Sequence, residues 1–126
     1  MEKIGLVTIT YNAEATLTSF LECVWMQTYE NFKLYIVDNA STDRTCTILN
    51  NQVDFRLEII KNNTNIGVAA GNNQGIKNAF SDDCKQILLL NNDIEFDETL
   101  IEALHKNKTD NKCSLITPKI MYYDNP

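Results

Sequence analysis

The chain has 126 residues, 44% of them apolar, enough to enclose one core of ordinary size and too few for a second domain. Seventeen acidic residues against 11 basic ones give a formal charge of −6, which argues against a nucleic-acid partner, because phosphate neutralisation needs clustered Lys and Arg. No apolar run approaches the roughly 20 residues of a transmembrane helix, and Cys23, Cys46, Cys84 and Cys113 form no Cys-x-x-Cys pair, a pattern of inert, buried thiols in a reducing, cytoplasmic setting rather than a zinc site or a disulfide scaffold.

In chain order, Ile4 to Thr10 is a β-branched run that reads as a first strand. Leu17, Phe20, Leu21, Val24 and Trp25 then recur at helical spacing, which predicts an amphipathic helix over 14 to 27. A second strand is expected at Phe32 to Val37, and Ser41-Thr42-Asp43 can cap a helix running to about Asn50. Leu57 to Ile60 is the third strand, Val68 to Phe80 the third helix, and Gln86 to Leu90 the fourth strand. Asp97, Glu98 and Thr99 lead into a helix ending near Lys106, and Ser114 to Thr117 is a fifth candidate strand. The abrupt end, Tyr122 to Pro126, suggests a truncated chain. Nearly apolar strands separated by helical crossovers define the α/β class, a doubly wound, mainly parallel sheet with helices on both faces. Ligands of such sheets sit beyond the carboxyl ends of the strands, where strand order reverses.

The residues at those ends are the candidates. Thr10-Tyr11-Asn12 offers a hydroxyl, an aromatic face and an amide; either Tyr11 stacks on a base, or it packs on the first helix while Asn12 caps it. Asp38 either accepts a hydrogen bond from a base or ribose or closes an Asx turn, whereas Asp43 suits the first turn of a helix. Asn65 to Gly75 carries glycines at 67, 71 and 75 among small and amide residues, a composition that allows close approach to the backbone by a ligand or by another element. Leu88-Leu89-Leu90-Asn91-Asn92-Asp93 is a buried strand ending in three polar residues. Hard cations take oxygen ligands, often a single carboxylate with phosphates completing the shell, so Asp93 is the candidate metal ligand; a simple strand-ending turn is the alternative.

Taken in order, Thr10-Tyr11-Asn12, Val37 through Asp43, Asn65-x-Gly67 through Asn73-x-Gly75, and Leu90 through Asp93 resemble the motifs of the family 2 inverting glycosyltransferases over about Ile4 to Pro118. The resemblance implies a GT-A fold whose N-terminal, nucleotide-sugar-binding portion is this chain. It implies Thr10, Tyr11, Asn12, Asp38 and Asn91 around the nucleotide, with Asp38 accepting from a uracil or thymine ring nitrogen and Asn91 near the ribose. It places Asn65, Gly67, Gly71, Asn72 and Asn73 in a donor-proximal loop, and makes Asp93 the ligand of a divalent cation, Mn²⁺ or Mg²⁺. The partners implied are a UDP- or dTDP-linked sugar and a saccharide or lipid-linked saccharide acceptor of bacterial surface polysaccharide synthesis, at the inner face of the membrane. The family commonly has Asp where Asn91 stands, and its catalytic base and acceptor segments lie downstream of Pro126. A noncatalytic nucleotide-sugar-binding module is the rival reading. A phosphorylatable receiver and a nicotinamide-binding half-domain do not fit, since Tyr11-Asn12 replaces paired carboxylates and no glycine follows the first strand.

Overall fold

The structure, a computed structural model, describes residues 1–124. Four strands, β1 (Ile4–Thr10), β2 (Phe32–Asn39), β3 (Leu57–Asn62) and β4 (Gln86–Leu89), form one sheet in the order β3-β2-β1-β4, and every pairing is parallel. The helices are α1 (Leu17–Trp25), α2 (Thr45–Asn50), α3 (Val68–Ser81) and α4 (Leu100–Asp110).

Side-chain alternation divides the sheet into two buried faces. On one, Ile4, Leu6, Leu34 and Ile36 pack with Leu17, Phe20, Leu21 and Val24 of α1, Leu49 of α2 and Ile101 of α4. On the other, Val7 and Tyr35 meet Ala79 of α3 and Cys84, with Ile76 and Ile87 at the margin. Each face therefore carries helices, as the doubly wound reading requires. Because crossovers are right-handed, the connections running from β1 towards β3 put their helices on one face, and the return from β3 to β4 puts α3 on the other. Strand order thus reverses between β1 and β4.

Close approach of α3 to the sheet depends on glycine. A methyl group at Gly75 would stand 2.5 Å from Cγ1 of Val7, one at Gly71 2.9 Å from Cδ1 of Ile9, and one at Gly5 2.7 Å from Cβ of Ala79. Gly71 and Gly75 are one helical turn apart and both are buried. They let the backbone of α3 lie against β1.

Two expectations change. Ser114 to Thr117 is not a strand: no residue of β4 pairs with it, and the Leu115 side chain is 88% exposed. Four residues rich in β-branched side chains carry little information about pairing, and here the segment runs beside a cleft of about 340 Å³ between β4 and α4. The cysteines are all free, but only Cys84 is buried; Cys23, Cys46 and Cys113 are partly exposed.

Substituting Gly75→Ala is expected to lower stability by about 1–3 kcal/mol, the usual cost of forcing an extra methyl into a filled interior. The urea midpoint measures it, and an unchanged midpoint would show that α3 has room to move.

Candidate functional site

The expected site residues gather at the carboxyl end of the sheet, in two adjacent groups. The first joins the ends of β1 and β2. Thr10 and Asp38 are register partners in neighbouring strands, and the Thr10 hydroxyl donates to Oδ1 of Asp38 at 2.7 Å. Ser41 donates its hydroxyl to the same oxygen at 2.6 Å and its backbone N–H to Oδ2 at 3.1 Å. The Cys46 thiol reaches Oδ2 at 3.5 Å. With four protein donors and only 2% exposure, Asp38 closes the turn that leads to Ser41. The expectation that it accepts from a ring nitrogen meets a carboxylate whose lone pairs are already occupied.

Burial pushes the Asp38 carboxyl upward, but hydrogen bonds from the Ser41 hydroxyl, the Thr10 hydroxyl, the Ser41 N–H and the Cys46 thiol outweigh it and hold the group below its ordinary value. Thr10 is fully buried as well. Its role in this conformation is to donate to Asp38.

Tyr11 and Asn12 face outward. Tyr11 is 54% exposed, so its ring is open to a stacking partner rather than packed under α1. Asn12 adopts a left-handed φ of 49°, a region asparagine tolerates better than most residues. It does not cap α1. Its Oδ1 accepts from the backbone N–H of Thr42 at 2.8 Å and of Asp43 at 3.3 Å, and its own N–H donates to Oγ of Ser41 at 2.9 Å. Asp43 accepts from both the N–H and the hydroxyl of Thr45 and from the N–H of Glu14. The β1 and β2 ends are thereby tied into one rigid rim. Ser41 was not among the expected residues; its position in the Asp38-x-x-Ser41 turn was the available signal.

The second group lines a cleft of about 370 Å³ at the strand-order reversal, bounded by Ile9 of β1, Val68 and Asn72 of α3, and the segment Leu89 to Asp93. Asn91, Asn72 and Asp93, all expected, meet here. Asn92, which was not, donates its side-chain amide to the carbonyl of Ile9 and pins the turn to β1. Of the expected donor-proximal loop, only Asn65 and Gly67 lie in a loop; Gly71, Asn72 and Asn73 belong to the first turns of α3. Gly71 points to the sheet, Asn73 is exposed outside the cleft lining, and Asn65 Oδ1 accepts from Gly67 N–H at 2.9 Å, holding Gly67 at a φ of 86°.

Among the described residues no three His, Cys, Asp or Glu side chains lie close enough to hold an ion. Asp93 is the one carboxylate among the residues lining the cleft. Such a donor set suits Mg²⁺ or Mn²⁺ only as a shared ion, with phosphate oxygens and water supplying the rest of the shell.

A parallel sheet with helices on both faces and a polar cleft at its reversal point is the arrangement in which α/β proteins bind ligands beyond their strand ends. The chain belongs to glycosyl transferase family 2, whose model matches residues 6–126. It is 35% identical over 107 residues, 79% of this chain, to the Escherichia coli UDP-Glc:alpha-D-GlcNAc-diphosphoundecaprenol beta-1,3-glucosyltransferase WfaP, and spans 43% of that protein. The putative glycosyltransferase EpsE of Bacillus subtilis is 34% identical over 83 residues, 64% of this chain and 30% of EpsE. Among solved structures, TarS 1-349 of S. aureus in complex with UDP-GlcNAc superimposes with a TM-score of 0.73 at 21% identity, covering 87% of this chain and 32% of that one. The mannosyltransferase PcManGT from Pyrobaculum calidifontis, in complex with GDP-Man and Mn²⁺, gives 0.67 at 20% identity, covering 74% and 28%. The fold is GT-A.

Because the folded pKa of Asp38 is depressed, its contribution to stability is complete above the ordinary carboxylate value of about 3.9 and is lost as pH falls through the lower folded value. Asp38→Asn is expected to be less stable than wild type at pH 7, with the two urea midpoints converging as pH falls below the ordinary carboxylate value. Midpoints that stay parallel across the acid range would contradict the carboxylate's role in the turn.

Proposed function

We propose that this chain is the N-terminal, donor-binding part of a glycosyltransferase that moves a hexosyl or rhamnosyl unit from a UDP- or dTDP-linked donor to an acceptor hydroxyl with inversion, in bacterial surface polysaccharide synthesis. The observation that carries the reading is the cleft at the β1/β4 reversal, where Asp93, Asn91 and Asn72 converge. A cleft of that volume lies in the range of small-ligand sites, and the base would reach the neighbouring rim, where the exposed Tyr11 ring supplies a stacking face.

In this reading the rim built on Asp38, Ser41 and Asn12 is rigid before the donor arrives, so little ordering cost falls on binding. Asn91 and Asn72 present amides that can donate to ribose or phosphate oxygens. Asp93 would hold a divalent cation against the diphosphate, where it supplies Lewis-acid stabilisation to the departing nucleoside diphosphate. Attack by the acceptor hydroxyl from the opposite face of the anomeric carbon inverts the centre; none of the residues described here is assigned as the base. The name of the E. coli relative, which includes a diphosphoundecaprenol acceptor, supports a saccharide or lipid-linked acceptor and a place at the inner membrane face. No helix of the described chain is long and apolar enough to cross a membrane.

Calorimetric titration with UDP and dTDP, with and without Mn²⁺, tests the site. Metal-dependent binding is expected, weakened by about tenfold or more in Asp93→Ala, the loss of roughly one charge-assisted contact. Binding that is indifferent to both Mn²⁺ and Asp93→Ala would remove the metal from the account.

A further inference from the structure

Three side-chain amides that lie outside the cleft link the carboxyl ends of β2 and β3 to the start of α3. Asn62, the last residue of β3, and Gln74 of α3 exchange two hydrogen bonds, Asn62 Nδ2 donating to Gln74 Oε1 at 2.8 Å and Gln74 Nε2 to Asn62 Oδ1 at 2.9 Å. The same Nδ2 donates to Oδ1 of Asn39, the last residue of β2, at 3.0 Å. Asn39 Nδ2 then donates to the carbonyl of Gly67 at 3.1 Å. Asn39 is 1% exposed.

The direction of this chain is fixed at one end. A backbone carbonyl only accepts, so Asn39 must turn its nitrogen to Gly67 and its oxygen to Asn62; Asn62 must in turn give nitrogen to Asn39, and that leaves its oxygen for the nitrogen of Gln74. Every amide has one arrangement that satisfies all partners, and with Asn39 buried and Asn62 and Gln74 half-buried such a network favours a single geometry. Its terminus matters most. The Gly67 carbonyl also accepts from the N–H of Gly71 at 3.2 Å, the first bond of α3, and Gly67 stands at a left-handed φ immediately before Val68, a cleft residue.

We infer that Asn39, Asn62 and Gln74 are positioning residues for the donor cleft: by clamping the Gly67 carbonyl they set where the first turns of α3, and with them Val68 and Asn72, face Asn91 and Asp93. The inference rests on the donor-site reading above. None of the three lines the cleft. They act through α3, which the sheet holds from below through Gly71 and Gly75 and the amides hold from the side.

The test uses this chain, with UDP and Mn²⁺ as the probe, in Asn62→Leu and Gln74→Leu. Tyr35→Phe serves as the control, because the Tyr35 hydroxyl bonds Asp82 at 2.8 Å at the opposite end of the sheet. Titrations are run well below each melting temperature, alongside backbone hydrogen exchange of residues 68–72. Both leucine variants are expected to raise the Kd by about tenfold, equivalent to misplacing or losing roughly one polar contact, and to speed exchange in the first turns of α3. Tyr35→Phe is expected to lower the melting temperature while leaving the Kd and that exchange unchanged. If wild type binds and the leucine variants match the control, the positioning role is overturned and the donor site stands. If wild type does not bind UDP, the site reading itself falls and the inference with it.

Discussion

The organisation of this domain follows from β1 being paired on both sides. With β2 on one edge and β4 on the other, β1 is the strand at which the winding changes direction, and right-handed crossovers then send α1 and α2 to one face and α3 to the other. No crossover helix can span the gap between the carboxyl ends of β1 and β4. The cleft lined by Ile9, Asn72, Asn91 and Asp93 is that gap, and its polarity comes from three consecutive polar residues that follow an apolar strand. Packing supplies the rest: the glycines of α3 bring its backbone against β1 and carry Asn72 to the cleft edge.

Rigidity is distributed differently around the site. The β1/β2 rim is fixed by a carboxylate with four donors and by Asn12, whose side chain accepts from two backbone N–H groups while its backbone N–H donates to Ser41 Oγ. The α3 side is held by the packing of Gly71 and Gly75 on β1 and by the amides of Asn39, Asn62 and Gln74. The β4 side is held by Asn92 to the Ile9 carbonyl, with Asp93 exposed beyond it. In the proposed reading, a site so arranged would present a set framework for the nucleotide and leave the one carboxylate lining the cleft open to an ion that arrives with the diphosphate.

Much of this was legible in the sequence because periodicity records burial. Leu17, Phe20, Leu21 and Val24 marked α1 and are its buried residues, and the four apolar runs became the four parallel strands. The segment Ser114 to Thr117 looked similar and is not a strand, since composition states what a segment tolerates and says nothing of whether an edge is within reach. Asn91 and Asp93 were legible from their places just beyond a strand, and Asn72 from the family resemblance of its segment; the structure brings the three to one cleft. The direction of Asp38 was not legible. Whether a strand-ending carboxylate faces ligand or protein depends here on the Ser41 hydroxyl of its own turn and on the Thr10 hydroxyl, which only strand register brings opposite it. Likewise Asn39, Asn62 and Gln74 were indistinguishable from general asparagine enrichment, because a hydrogen-bond network has no sequence period.

The central claim is that the reversal-point cleft holds a metal-bound nucleoside diphosphate, and paramagnetic broadening tests it most directly. Backbone amide spectra of the chain would be recorded with UDP as Mn²⁺ is added. The account predicts broadening centred on Asn91 to Asp93 and the first turn of α3, with Lys33, Asp82 and the amino end of the sheet unaffected. Broadening centred away from Asp93, or spread evenly over the acidic surface, would contradict it.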